Sequence, residues 1–189
     1  MSITVTKTDK QGTHLSDVTS ERFANREIWI TGKIDASLAR TVIEQIEHLS
    51  SVSADEITLK IMSPGGEVSG GLAILDALRM SRCEIVTHCI GQVYSMAAVI
   101  ACAAGKKGKR FIWRHSDMMI HQPIGDVSGN ASEIVRAAAH ITRTRTILNT
   151  LLAEATGQSI ERIETDTAYE DRFFDAEEAV AYGLADYIL

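Results

Sequence analysis

Glu84-Ile85-Val86-Thr87-His88-Cys89-Ile90-Gly91-Gln92-Val93-Tyr94-Ser95-Met96-Ala97-Ala98-Val99-Ile100-Ala101-Cys102-Ala103-Ala104 is the stretch on which the architecture turns. Glu84 to Ile90 reads as a strand, ended by Gly91. The small apolar run that follows predicts a buried helix over Ser95–Ala104. Gln92, Tyr94 and Ser95 interrupt the apolar run, and its unbroken part of about nine residues is too short to span a bilayer. A strand feeding a helix through a turn is the unit of an α/β protein.

The same unit recurs on the N-terminal side. Glu56-Ile57-Thr58-Leu59-Lys60-Ile61 alternates like a strand and leads into Ser63-Pro64-Gly65-Gly66, after which Leu72, Leu75, Ala77 and Leu78 mark a helix. Before it, Glu27-Ile28-Trp29-Ile30 reads as a strand closed by Thr31-Gly32. Asp35 is placed to cap a helix with Leu38, Val42, Ile46 and Leu49 at helical spacing. On the C-terminal side, Arg110–Trp113 and Met118–Ile120 read as short strands. A long helix is expected over about 130–155, with Ile134, Ala138, Ile141, Leu148 and Leu152 on one face and Thr156-Gly157 at its end. Asp175-Ala176-Glu177-Glu178 resembles a capping box for a last helix ended by Gly183. The expectation is one α/β domain over 23–189 with right-handed crossovers, preceded by a flexible segment over 1–22 that shows no apolar periodicity.

Composition narrows the function. A chain of 189 residues, 45% hydrophobic and 23% charged, suits one soluble domain. A net charge of −6 argues against nucleic-acid binding, and the one dense basic cluster, Lys106, Lys107, Lys109 and Arg110, reads as a solvated turn before a strand. Cys83, Cys89 and Cys102 lie in apolar surroundings and are odd in number, which fits buried thiols in a reducing compartment. No ligand spacing suggests a metal, no apolar leader suggests secretion, and a cytoplasmic protein without cofactor is expected.

The chemistry is carried by a serine, a histidine and an acid in separate contexts. Ser95 stands between a strand and a helix, where the N–H of Met96 is left free by the helix start. Gly65-Gly66 lets the backbone turn sharply, so the Gly66 N–H can aim at the same developing negative charge, although such a turn is often no more than a turn. His121, at the end of Met119-Ile120-His121-Gln122-Pro123, is the candidate base; a strand-end histidine is otherwise a satisfied structural residue. Asp166, Glu170, Asp171 and Asp175 all compete for the acidic position. The chain order Ser…His…Asp is none of the three familiar triad orders.

From Arg26 to Ile188 the chain resembles ClpP, the proteolytic subunit of the Clp protease. Seven motifs carry the resemblance in order: Ile61–Gly66, Gly91-Gln92 with Ser95-Met96, Gly108–Phe111, Met119–Pro123, Thr156–Ser159, Asp171–Phe173 and Ala176–Leu184. It implies the ClpP/crotonase-like fold, a repeated β-β-α spiral core with a protruding handle helix. It implies Ser95 as nucleophile, His121 as base and Asp171 as the group that orients the imidazole. Gly66 and Met96 would form the oxyanion hole, and Glu67, Val68, Ile124 and Gly125 would hold an extended substrate strand. The implied activity is serine endopeptidase action on unfolded polypeptides inside two stacked heptameric rings. An ATPase unfoldase of the ClpX, ClpA or ClpC type would feed them, with no metal, cofactor, nucleic acid or membrane involved.

Several positions depart from the family pattern. Val93-Tyr94 stands where two small residues usually precede the serine, and Ala97 replaces a glycine. The segment before Asp171 is one residue longer than usual, so alignment from upstream would choose Glu170; the longer downstream match chooses Asp171. Thr58 and Lys60 occupy places where tyrosines commonly receive the ATPase's docking loops, which suggests a divergent paralogue, one that mixes with a second ClpP type or uses another partner. The competing expectations are a crotonase-type enzyme acting on acyl-CoA and a catalytically weak, regulatory ring subunit.

Overall fold

A computed structural model describes residues 3–9 and 12–189. Its elements are β1 (Thr4–Asp9), β2 (Gly12–Asp17), α1 (Val18–Ala24), β3 (Glu27–Thr31), α2 (Ala36–Val52), β4 (Ile57–Ser63), α3 (Val68–Met80) and β5 (Ile85–Tyr94). There follow α4 (Met96–Ala104), β6 (Arg110–Ile112), β7 (Asp117–Ile120), α5 (Ala131–Thr156), α6 (Ile160–Thr167), β8 (Arg172–Phe174), α7 (Ala176–Tyr182) and β9 (Tyr187–Ile188). The main sheet runs β3-β4-β5-β6-β9, all parallel. A branch leaves it where β7 pairs parallel with the end of β5, and β8 then pairs antiparallel with β7.

Side-chain alternation explains the layering. Ile57, Leu59, Ile61 and Ser63 of β4 are buried while Thr58, Lys60 and Met62 between them are not. The buried face meets α2, α3 and α4, and every residue of α4 from Met96 to Cys102 is buried. Small residues make that possible, because alanines let the helix lie close to its neighbours. The other face carries an in-register row, Trp29, Lys60, His88, Phe111 and Tyr187. There Lys60 pairs with Glu27 at 2.9 Å and lies over the Trp29 ring, so the lysine is accommodated on the sheet by a carboxylate and an indole.

Four features differ from the sequence reading. First, the stretch with no apolar periodicity forms the β1–β2 hairpin and then α1, which crosses the expected boundary at residue 22. The hairpin is mostly polar and, among the described residues, pairs with no other strand, so it leaves no amphipathic signature. The helix is started by Asp17, whose carboxylate accepts from the N–H groups of Thr19 and Ser20. Second, Gly91 does not end β5. It sits at φ +61° in a continuing strand, with Thr87–Cys89 on β6 and Gln92–Tyr94 on β7. The register with β4 shifts between Ile61 and Ser63 at the same level, as at a bulge. Third, α6 was not anticipated; its eight residues are mostly polar, with Ile163 and Thr167 alone buried. Fourth, the short β8 and β9 carried no alternation long enough to read.

Three of the four residues of the basic cluster pair with acids. Lys106 pairs with Glu84, and Lys109 with Glu56 and Glu84. Arg110 is buried, donates to both oxygens of Asp186 and to the carbonyl of Ala155, and so ties β6 to the C-terminal turn and to α5. Burial alone would raise the Asp186 pKa; hydrogen bonds and charge from Arg110, with the N–H groups of Gly108 and Arg110, outweigh it and hold the carboxyl below its usual range. A depressed carboxyl stabilises the fold above its unfolded-state pKa, and that contribution is lost as pH falls through the folded-state value. Asp186→Asn is therefore expected to cost about 3 kcal/mol near neutral pH, with a difference from wild type that shrinks in acid. Melting temperatures of both proteins across that range check it. Cys89 and Cys102 are buried and their thiols are pushed up to about 12 by burial, so neither is a nucleophile at neutral pH.

Candidate active site

Ser95 lies between β5 and α4 in a conformation that L-residues rarely adopt, φ +55° and ψ −125°. Such a backbone costs on the order of 1–3 kcal/mol and needs support from its surroundings. The Ser95 N–H donates to the Met119 carbonyl at 2.8 Å, and its carbonyl accepts from Val99. A serine at a helix start usually turns its hydroxyl to the first turn as a cap; here it makes no such bond. The hydroxyl faces the imidazole instead, with Ser95 Oγ 2.7 Å from His121 Nε2.

His121 follows β7 directly, and β7 is held against the end of β5, so the sheet delivers the ring beside the serine. His121 Nδ1 is 3.0 Å from Asp171 Oδ1. With the carboxylate accepting, Nδ1 carries the proton, and Nε2 is left to accept from the serine hydroxyl. Asp171 immediately precedes β8, whose pairing with β7 places it behind the imidazole. The other acids are engaged or face elsewhere. Asp166 accepts from Arg162 and from the Tyr182 hydroxyl, Asp175 caps α7, and Glu170 is exposed with no bond to His121.

The glycine turn meets the serine turn from the neighbouring strand. A Cβ on Gly65 would lie 2.7 Å from both Ser95 Cβ and the Tyr94 carbonyl oxygen, and 3.0 Å from the Met96 nitrogen. One on Gly66 would lie 2.1 Å from the Ile34 carbonyl oxygen. Both positions have positive φ, so the turn depends on glycine twice over. Buried Ser63 fixes it, donating to the Gly32 carbonyl at 2.6 Å and accepting from the Gly65 N–H at 3.0 Å. Among the described residues the N–H groups of Gly66 and Met96 meet no acceptor. Gly66→Ala, with a Cβ against the Ile34 carbonyl at positive φ, is expected to displace this turn and to destabilise the fold by about 1–3 kcal/mol; a lowered melting temperature measures it.

A cavity of about 490 Å³ opens beside Ser95 and His121. Glu67, Val68 and Ile124 line it, as do Gly66 and Met96, whereas Gly125 does not and instead approaches Ile141 of α5. Its apolar wall includes Val99, Leu148 and Leu152, and Lys33 sits at its margin. Sequence reasoning missed those residues. Leu148 and Leu152 read as the packing face of a helix, and Lys33 carried no signal of its own. Among the described residues no three His, Cys, Asp or Glu side chains come together as metal ligands.

On an α/β fold, the side-chain geometry is that of a serine–histidine–aspartate triad. A family model described as Clp protease matches residues 10–189, and the chain belongs to that family. Membership makes it a ClpP-type protein with a ClpP-like α/β fold, in a family of serine peptidases. The match begins at residue 10 and so takes in β2 and the whole of α1, which lie wholly or partly in the segment expected to be flexible. No described helix is long and apolar enough to cross a membrane.

Proposed function

We propose that the chain is a serine endopeptidase subunit that cleaves unfolded polypeptides through an acyl-enzyme on Ser95. The observation that carries this is the unbroken path from Ser95 Oγ through both nitrogens of His121 to Asp171, at 2.7 and 3.0 Å. Ser95 Oγ attacks the scissile carbonyl carbon while its proton passes to His121 Nε2. The carbonyl oxygen takes the negative charge and accepts from the Gly66 and Met96 N–H groups. As the C–N bond breaks, His121 returns the proton to the leaving amine; water then repeats the attack and frees the acid. Asp171 keeps its charge throughout and holds the imidazole.

The substrate runs as an extended strand between Glu67-Val68 and the segment after Pro123, with Ile124 and Gly125 in it. Residues 122–128 support this reading: among the described residues they belong to no ladder and their backbone groups pair with no other backbone group. They offer a free edge for β-augmentation. The apolar wall of the cavity suits an apolar side chain beside the cleaved bond.

The chain works in two stacked heptameric rings in the cytoplasm, alone or mixed with a second ClpP type. A Clp ATPase unfoldase of the ClpX, ClpA or ClpC kind feeds polypeptide into them. The exposed N-terminal two thirds of α5, with Ile134 and Val135 uncovered, suits a handle between rings. Exposure to a fluorophosphonate tests the chemistry. Covalent labelling of Ser95 and cleavage of short peptides are expected, whereas turnover of enoyl-CoA without labelling, or assembly without either, would replace this proposal with a crotonase-type enzyme or a regulatory ring subunit. Recovery from its own cells with a Clp ATPase and no second peptidase would reject the mixed ring.

A further inference from the structure

We propose, on the peptidase reading above, that Tyr94 is a positioning residue: it fastens the strand that ends at Ser95 to the two strands that carry His121 and Asp171.

The sheet topology creates the need for such a fastener. Two of the three residues belong to the side branch. β7, which leads into His121, meets the main sheet along Gln92–Tyr94 against Asp117–Met119. β8, which Asp171 precedes, pairs with β7 and with no other strand of the described sheet. A short ladder at the edge of a sheet is free to twist, and a misplacement of about 1 Å at a reacting centre costs roughly 10² in rate.

Tyr94 reaches both branch strands at once. Its hydroxyl donates to Asp117 Oδ2 at the start of β7. Its ring meets the Phe173 ring of β8 edge to face, with centroids 5.6 Å apart and planes at 88°. The register puts Tyr94 opposite Met119 and Met119 opposite Phe173, one row across all three strands. Each proposed catalytic residue lies within two positions of that row: Ser95 next to Tyr94, His121 two after Met119, Asp171 two before Phe173. The Ser95 N–H bond to the Met119 carbonyl joins the same row through the backbone. The hydrogen bond to Asp117 pushes the Tyr94 hydroxyl up to about 12, so it stays a donor at working pH. Tyr94 does not line the cavity beside Ser95, so its bulk serves the strands and not the substrate pocket.

Peptide cleavage and fluorophosphonate labelling by the full-length protein test this. Tyr94→Phe keeps the ring and removes the hydroxyl; Asp117→Ala removes the acceptor; Asp117→Asn keeps one. Tyr94→Phe and Asp117→Ala are each expected to lower kcat about tenfold with KM within twofold, and to slow labelling of Ser95 in proportion. The double variant should be no slower than either single one, and Asp117→Asn should stay close to wild type. Wild-type kcat and labelling in both single variants would overturn the proposal, as would a loss confined to KM. If Tyr94→Phe fails to fold, Asp117→Ala decides by the same readings. A wild-type protein that neither cleaves peptides nor takes the label fails the peptidase reading itself, and the positioning role falls with it.

Discussion

Ser95→Ala is expected to lower peptide-cleaving kcat by about 10⁴–10⁶-fold and to abolish fluorophosphonate labelling, while leaving melting temperature and assembly close to wild type. The two effects separate for a physical reason. The serine hydroxyl makes no capping bond to α4, so the helix loses nothing when the oxygen goes. Alanine meets the same backbone cost at φ +55° that serine does, so strain at the turn is unchanged. What disappears is the nucleophile and its bond to His121. Residual cleavage would come from the oxyanion donors and substrate positioning alone. Cleavage at the wild-type rate by the alanine variant would place the chemistry elsewhere and defeat the mechanism.

Asp171→Asn is expected to lower kcat by about 10³–10⁴-fold, with Glu170→Gln within twofold of wild type. An asparagine at 171 can present its amide N–H to His121 Nδ1, which favours the tautomer whose proton sits on Nε2 and faces the serine hydroxyl. In that state the ring has no lone pair for the proton of Ser95. The exposure of Asp171, whose side chain is 50% accessible, lets water supply part of the lost interaction and places the effect toward the lower end. Comparable losses at residues 170 and 171 would mean that the loop after α6 acts through its shape and not through one carboxylate. Kinetics of both variants on one peptide distinguish the cases.

Residue type and local context leave the acid behind the histidine open, and only the family resemblance singles out Asp171. Asp166, Glu170, Asp171 and Asp175 lie within ten positions, and all are acids near a helix end or a turn. Three-dimensional placement separates them: Asp166 is occupied by Arg162 and Tyr182, Asp175 by the start of α7, and Asp171 faces His121. Tyr94 gives the same lesson in another form. In the sequence it is a bulky residue beside a serine; its partners Asp117 and Phe173 are 23 and 79 positions away.

Local sequence did determine a good deal. The β-branched runs, the helical spacing in α2, α3 and α5, the capping residues Asp35 and Asp175 and the glycines at 65, 66, 157 and 183 describe the elements and their turns. These signals are short-range, set by side-chain period, hydrogen bonding at helix ends and the freedom of φ. Tertiary structure alone decided that β5 continues past Gly91 to carry a branch and that the polar N-terminal stretch pairs as a hairpin, and it set the distances at which Ser95, His121 and Asp171 meet. Those outcomes depend on which strand lies beside which, and strand neighbours are chosen by packing across the whole sheet, which no local window contains.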